Sequence, residues 1–214
     1  MAELAALFLY HQDTPVVRRN LDALRAYNPD VPVIVLGQGA VAKIVPDAFT
    51  DPSWVPPQDG YHDSDLFVLH ALRQLGLPHE RYCWLDWDCL VLTGLKDFYA
   101  PVYDAAVVAP ATQVPWYNPK WSWWCKRATL ESYEEHARGI VPLAGCLFSR
   151  EVLQKLLNLT DLPQDNWCEL RLGSAINKLG FEVKVLPPGH RIRYRPEYLL
   201  TEVKTGNIWH PVKR

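Results

Sequence analysis

The apolar positions of this chain fall in short continuous runs separated by amphipathic stretches, and that alternation predicts its elements. "LAALFLY" (4–10) reads as a buried strand. "TPVVRRNLDALRAYNP" (14–29) reads as a helix. Thr14 is placed to cap it, Pro15 suits its first position, Val17, Leu21 and Leu24 form one stripe, and Asn28-Pro29 stops it. "VPVIVLG" (31–37) is a second strand, so the chain opens strand–helix–strand, the unit of a parallel sheet.

Prolines and a glycine make 50–60 a loop. "SDLFVLHALRQLGLP" (64–78) reads as a helix capped by Ser64, with Phe67, Leu69, Leu72 and Leu75 mostly inward and His70 an ordinary helix-face residue. "YCWLDWDCLVL" (82–92) and "DAAVVAPA" (104–111) read as strands, and "QVPWYNPKWSWWCKR" (113–127) as an aromatic, basic loop. "IVPLAGCLFSR" (140–150) reads as a strand and "REVLQKLLNL" (150–159) as a helix. A helix over 163–180 takes Asp165 as N-cap and Gly180 as its stop, followed by the strand "FEVKVLPP" (181–188). The tail from His190 reads as irregular and basic. The expectation is an α/β layer fold, whose ligands bind outside the carboxyl ends of the strands.

Composition narrows the function classes. The chain has 214 residues, 49% hydrophobic and 21% charged, enough for one sizeable core. A net charge of −2 gives no global attraction to nucleic acid or anionic membrane. The five cysteines form no CxxC and read as reduced thiols; Cys83 and Cys89, beside an acidic pair, are better explained by burial than by metal ligation. "MAELAALFLYHQD" reads as neither signal peptide nor membrane anchor, and a cytoplasmic setting is expected. Nine tryptophans are many for this length, and most cluster between Trp84 and Trp124, where wet indoles mark a binding face.

Two Asp-x-Asp pairs occur, Asp63/Asp65 and Asp86/Asp88; about one such match is expected by chance at this aspartate content, so context must decide. Asp86/Asp88 has the better context, at the end of the apolar half-strand "YCWL", with strand alternation pointing both carboxylates to one side. Paired carboxylates repel and call for a cation, and oxygen donors select Mg²⁺ or Mn²⁺.

In order along the chain, "LFLYHQDTPVVRRNLDAL", "WLDWD", "PLAGCLFSREVLQKL", "WCELRLGSAINKLGFEV" and "IWHPVK" resemble the segments of a GT-A-fold, nucleotide-sugar-dependent glycosyltransferase. The resemblance spans most of the chain. It implies one GT-A-like, Rossmann-like α/β domain over 1–214, its central mixed, mostly parallel sheet flanked by helices, with a nucleotide-sugar and metal half in 1–100 and an acceptor half with the C-terminal tail in 101–214. It implies Mn²⁺ or Mg²⁺ and a nucleoside-diphosphate sugar, a UDP-sugar above others, used by a hexosyl- or pentosyltransferase. Asp88 is then the direct metal ligand, Asp86 contacts the ribose or the metal through water, His210 is the third protein ligand, and Lys213 faces the diphosphate. Glu169 is the candidate general base, eleven residues before Gly180, with Asp165 its competitor. The acidic pair common in such enzymes is here Cys168-Glu169. Tyr10, His11, Gln12 and Asp13, at the end of the first strand, would hold base and ribose, although "LGQG" (36–39) lacks the acidic residue often found after the second strand. Asp65 is a further nucleotide candidate, and capping explains it almost as well. Trp116, Trp121, Trp123 and Trp124 would form a lid facing the acceptor, with Gly145 on the acceptor-side segment.

Two rivals stand beside this reading. A haloacid-dehalogenase-type phosphatase would use Asp86 as nucleophile, but that family places Thr or Val where Leu90 stands. A non-catalytic, tryptophan-rich module would bind sugar or nucleic acid through its indoles beside Lys120, Lys126 and Arg127, with Arg191, Arg193 and Arg195 adding charge. The acceptor is accordingly a glycan or small molecule, with a modified nucleobase in DNA as the alternative.

Overall fold

The computed structural model describes residues 3–12, 14–37, 48–49, 62–190 and 192–212. Strands β1 (Leu4–Tyr10), β2 (Val33–Gly37), β3 (Ala48–Phe49), β4 (Arg81–Asp86), β6 (Val107–Ala109), β9 (Leu147–Ser149) and β10 (Val183–Val185) form a seven-stranded sheet in the order β10-β6-β9-β4-β1-β2-β3. All neighbours run parallel except β9, which is antiparallel to β4 and β6. The helices are α1 (Pro15–Tyr27), α2 (Ser64–Leu75), α3 (Leu95–Tyr99), α4 (Arg150–Leu157) and α5 (Cys168–Lys178). β5 (Leu90–Val91), β11 (Arg193–Tyr198) and β12 (Ile208–Val212) make a second sheet in the order β11-β12-β5, and β7 (Ala111–Gln113) pairs with β8 (Gly139–Val141).

The continuous apolar character of β1 follows from burial on both sides. Ala5, Leu7 and Leu9 enter one core with Phe67, Trp84, Phe148 and Ile176, while Leu4, Ala6, Phe8 and Tyr10 enter a second with Leu21, Leu85 and Tyr99. Each fully buried leucine contributes roughly 1.5–3 kcal/mol. Thr14 caps α1 as expected, its hydroxyl accepting from Val17 N at 3.4 Å. Gly180 (φ +81°) ends α5: its N–H reaches Asn177 O and that of Phe181 reaches Ile176 O, the paired bonds of a glycine-terminated helix.

Several boundaries differ from the pattern, each for a local reason. Pro110, which has no N–H, divides 104–111 into β6 and the start of β7. A turn containing Pro142 and Gly145 (φ +88°) divides 140–150 into β8 and β9. The 82–92 run is β4, a turn and the short β5. Asp63, not Ser64, is the N-cap of α2, and no side-chain bond caps it. α5 begins at Cys168, so Asp165 does not cap it. The tail is not irregular but pairs as β11 and β12. The 50–60 loop lies outside the described residues. All five cysteines are free thiols, Cys125 alone exposed. No helix among the described residues is long and apolar enough to cross a membrane.

Candidate metal and catalytic site

β1 and β4 run parallel with Leu9 beside Asp86, so both end at one edge of the sheet. There the chain turns tightly, and three consecutive carbonyls of the turn each accept a hydrogen bond. Cys89 N–H donates to Asp86 O at 2.9 Å, the buried Asn20 of α1 donates Nδ2–H to Trp87 O at 3.0 Å, and Val212 N–H of β12 donates to Asp88 O at 2.8 Å. Arg19 Nη2 donates to Val212 O at 3.1 Å and ties α1 to β12. With its backbone held from three sides, the turn presents the Asp86 and Asp88 side chains in a fixed arrangement. Strand alternation still governs Asp86, which follows Tyr82 and Trp84 on one face and accepts from Trp84 Nε1 at 3.0 Å. Asp88 lies in the turn beyond the strand.

β12 delivers His210. Its antiparallel pairing with β5 sets Trp209 beside Leu90 and Ile208 beside Val91. His210 Nε2 stands 3.2 Å from Asp88 Oδ1 and 4.0 Å from Asp86 Oδ2. Donor atoms of Asp88, Cys89 and His210 lie within 4.8 Å of one another, the one such group found among the described residues. The carboxyl of Asp86 is pushed up from its usual value, chiefly by burial; His210 opposes this, Asp88 adds to it, and the Trp84 N–H opposes it. Burial and the two carboxylates hold the Cys89 thiol well above its ordinary value. Carboxylate oxygen and imidazole nitrogen around locally crowded negative charge fit a divalent cation such as Mn²⁺ or Mg²⁺.

Glu169 enters from the first turn of α5. Burial pushes its carboxyl up; the Trp123 N–H counteracts this, Asp86 adds to it, and His210 counteracts it. Trp123 Nε1 donates to Glu169 Oε2 at 2.7 Å, and the Trp123 ring stacks on Trp167 at 3.7 Å, with His62 3.4 Å beyond on Trp167. Cys168 N–H donates to His62 O at 2.8 Å. Behind this lies Arg171, fully buried. Its Nε and Nη2 bind both oxygens of Asp65 at 2.9 and 2.5 Å, Nη2 binds Asp63 Oδ1 at 3.0 Å, and Nη1 binds the Pro163, Gln164 and Asn166 carbonyls. Burial alone would lower the guanidinium's pKa, but the two aspartates more than offset it.

That cluster corrects one expectation. Both oxygens of Asp65 are occupied by Arg171 and the residue is fully buried, so Asp65 is not a nucleotide contact; the first Asp-x-Asp pair fastens α5 to the start of α2. Asp165 is exposed in the loop before α5, where its carbonyl accepts from Thr129 Oγ1. Gly145 is likewise not an acceptor surface. It is buried, its N–H donates to Trp84 O at 2.6 Å, its carbonyl accepts from Tyr99 OH, and a Cβ there would come within 2.4 Å of Ile192 Cδ1.

Of the four lid tryptophans, Trp123 alone bonds Glu169. Trp121 packs over Gly139, Trp124 lies under the Arg127 guanidinium at 4.3 Å, and Trp116 is 63% exposed. Tyr10 is buried with its ring against Gly37, while the exposed His11 meets the Trp87 ring edge-on at 5.4 Å. Asp13 and Lys213 lie outside the described residues. Sequence reasoning passed over Tyr194, which pairs with His210 across β11 and β12 and stacks on its ring at 5.7 Å and 18°. Reading "RIRYRPEY" as a strand beside "IWHPV" would have placed it there.

No protein-family model matches this sequence, and no curated protein matches it. Solved structures do. A glucosyl-3-phosphoglycerate synthase from Mycobacterium tuberculosis, in complex with Mg²⁺ and UDP, aligns with TM-score 0.51 at 13% identity, over 86% of this chain and 68% of its own. The same enzyme with Mn²⁺, UDP and phosphoglyceric acid aligns with TM-score 0.51 at 14% identity over the same shares. A Drosophila β1,4-galactosyltransferase 7 in complex with manganese, UDP-Gal and xylobiose aligns with TM-score 0.48 at 12% identity over 87% of this chain, which spans 66% of that enzyme. The bifunctional IspDF from Campylobacter jejuni aligns with TM-score 0.49 at 13% identity over 86% of this chain and 49% of its own. The chain has the GT-A fold.

Proposed function

We propose that this chain is a metal-dependent glycosyltransferase that moves a sugar from a nucleoside-diphosphate sugar, in particular a UDP-sugar, to an acceptor hydroxyl. The observation that carries the reading is the 3.2 Å approach of His210 Nε2 to Asp88 Oδ1, at the carboxyl edge of a GT-A sheet and within the field of Glu169. The complexes of the mycobacterial enzyme with UDP and Mg²⁺ or Mn²⁺ support the donor class.

Asp88 and His210 would hold Mn²⁺ or Mg²⁺, with Asp86 beside them. When bound, the cation supplies positive charge for the departing diphosphate. Asp86 is also placed for the ribose, and His11 with Trp87 for the nucleotide. Glu169 takes the proton from the acceptor hydroxyl as that oxygen attacks the anomeric carbon, with inversion as the stereochemical outcome. Its raised pKa makes it a stronger base than an exposed glutamate, and the Trp123 N–H occupies Oε2, leaving Oε1 for the acceptor. Exposed indole at Trp116 suits a sugar ring. A glycan or small-molecule acceptor is favoured over DNA, since Arg127, one of the cations that favoured nucleic acid, lies on Trp124 and pairs with Glu134 at 3.8 Å.

The test is turnover. Protein with Mn²⁺, UDP-glucose, UDP-galactose or UDP-N-acetylglucosamine and a panel of sugar acceptors should release UDP, and a chelator should stop the release. Metal-independent release, or none with any donor, contradicts the proposal.

A further inference from the structure

Tyr194 lays one face against His210 and is largely exposed. The parallel pairing of β11 with β12 sets it directly beside His210, and the two rings stack at 5.7 Å with an 18° tilt. The imidazole covers one side of the phenol ring, yet Tyr194 remains 58% exposed. Between Tyr194 and Tyr198 the β11–β12 pairing shifts register. Such irregularities re-aim side chains, and they recur beside functional sites.

The position of this ring is defined by its neighbours. One neighbour is His210, whose Nε2 lies 3.2 Å from Asp88 Oδ1 and 4.0 Å from Asp86 Oδ2. Tyr194 therefore stands at the metal end of the site. A donor whose diphosphate sits at Asp88 and His210 carries its sugar ring, one bond further on, beside that phenol ring.

We infer that the exposed face of Tyr194 is the platform for the sugar ring of the nucleotide-sugar donor, holding the anomeric carbon beside His210. The inference rests on the glycosyltransferase reading and adds to it a sugar subsite on the C-terminal tail. An aromatic face suits the C–H face of a pyranose and, with only two side-chain torsions, loses little freedom when it packs. The hydroxyl is not needed for this contact; the ring is.

The prediction separates the sugar from the nucleotide. Binding is measured by titration calorimetry in Mn²⁺ with UDP alone, and with whichever of UDP-glucose, UDP-galactose and UDP-N-acetylglucosamine the wild type binds best. Tyr194→Ala should weaken UDP-sugar binding about tenfold and UDP binding less than about twofold, while Tyr194→Phe matches wild type for both. Tyr194→Leu keeps an apolar cover on His210 without a flat face. It should reproduce the selective loss, and it serves if the alanine variant does not fold. Equal losses for UDP and UDP-sugar would overturn the inference, because Tyr194 would then act only through His210. No loss for either would overturn it as well. If the folded wild type binds none of the three sugar nucleotides with Mn²⁺, the functional reading itself fails, and it does so before any variant is compared.

Discussion

The indole N–H of Trp123 donates to Glu169 Oε2 at 2.7 Å, so the aromatic loop is bonded to α5 at the candidate base. This bond favours the ionised carboxylate and partly offsets the burial that pushes the Glu169 pKa up. Removing the donor should raise that pKa further. A base works when deprotonated, so the acidic limb of the kcat/KM profile should move to higher pH in Trp123→Phe. A pH–rate series checks this, and an unmoved limb would detach Trp123 from the chemistry.

Glu169→Gln should part activity from stability. A carboxyl whose pKa is raised by folding favours the fold in its protonated form, and that contribution is lost as pH rises through the folded-state value. Glutamine mimics the protonated form and still accepts from Trp123. The variant should therefore melt at the same temperature as wild type in acid and higher at neutral pH, while transfer falls by about 10²–10⁴-fold. A thermal series across pH together with one rate measurement checks both halves.

Arg171→Met should leave Asp63 and Asp65 buried without their cation and cost about 3–5 kcal/mol of stability in urea titration. The exposed Lys155–Glu151 pair on α4 is the control, since breaking it should cost less than about 1 kcal/mol.

Gly173 allows α5 to lie directly on the chain entering β8: a Cβ there would come within 2.0 Å of Arg138 O, a backbone atom that cannot turn aside. Gly173→Ala should displace α5, cost about 1–3 kcal/mol and slow transfer by moving Glu169. A variant with lost stability but wild-type kcat would show that the base does not depend on this contact.

These placements explain what the amino-acid pattern could and could not reveal. β1, α1 and β2 were legible because a strand buried on both faces must be apolar throughout and because Thr14-Pro15 is a local start signal. The glycine stop at Gly180 is equally local. The start of α5 was not legible. Asp165 has the chemistry of a cap, but the carbonyls of 163, 164 and 166 are drawn to Arg171, and the helix begins after them. Nor did local pattern separate the two Asp-x-Asp pairs. What makes Asp65 structural is an arginine 106 residues further on. The tail looked irregular because β11 is polar and β12 is short, and each is held by long-range pairing, β11 on β12 and β12 on β5. The expectation for His210 came from resemblance, and its 3.2 Å contact with Asp88 depends on that pairing.

The most direct test of the metal-dependent donor site is calorimetric titration of a UDP-sugar into wild type, Asp88→Asn and His210→Ala, each with Mn²⁺ and with chelator. The predicted result is binding by wild type that requires Mn²⁺ and weakens on the order of 100-fold in both variants, with melting curves showing that they remain folded. Binding of equal strength with and without metal, or unchanged in folded Asp88→Asn, would contradict the account.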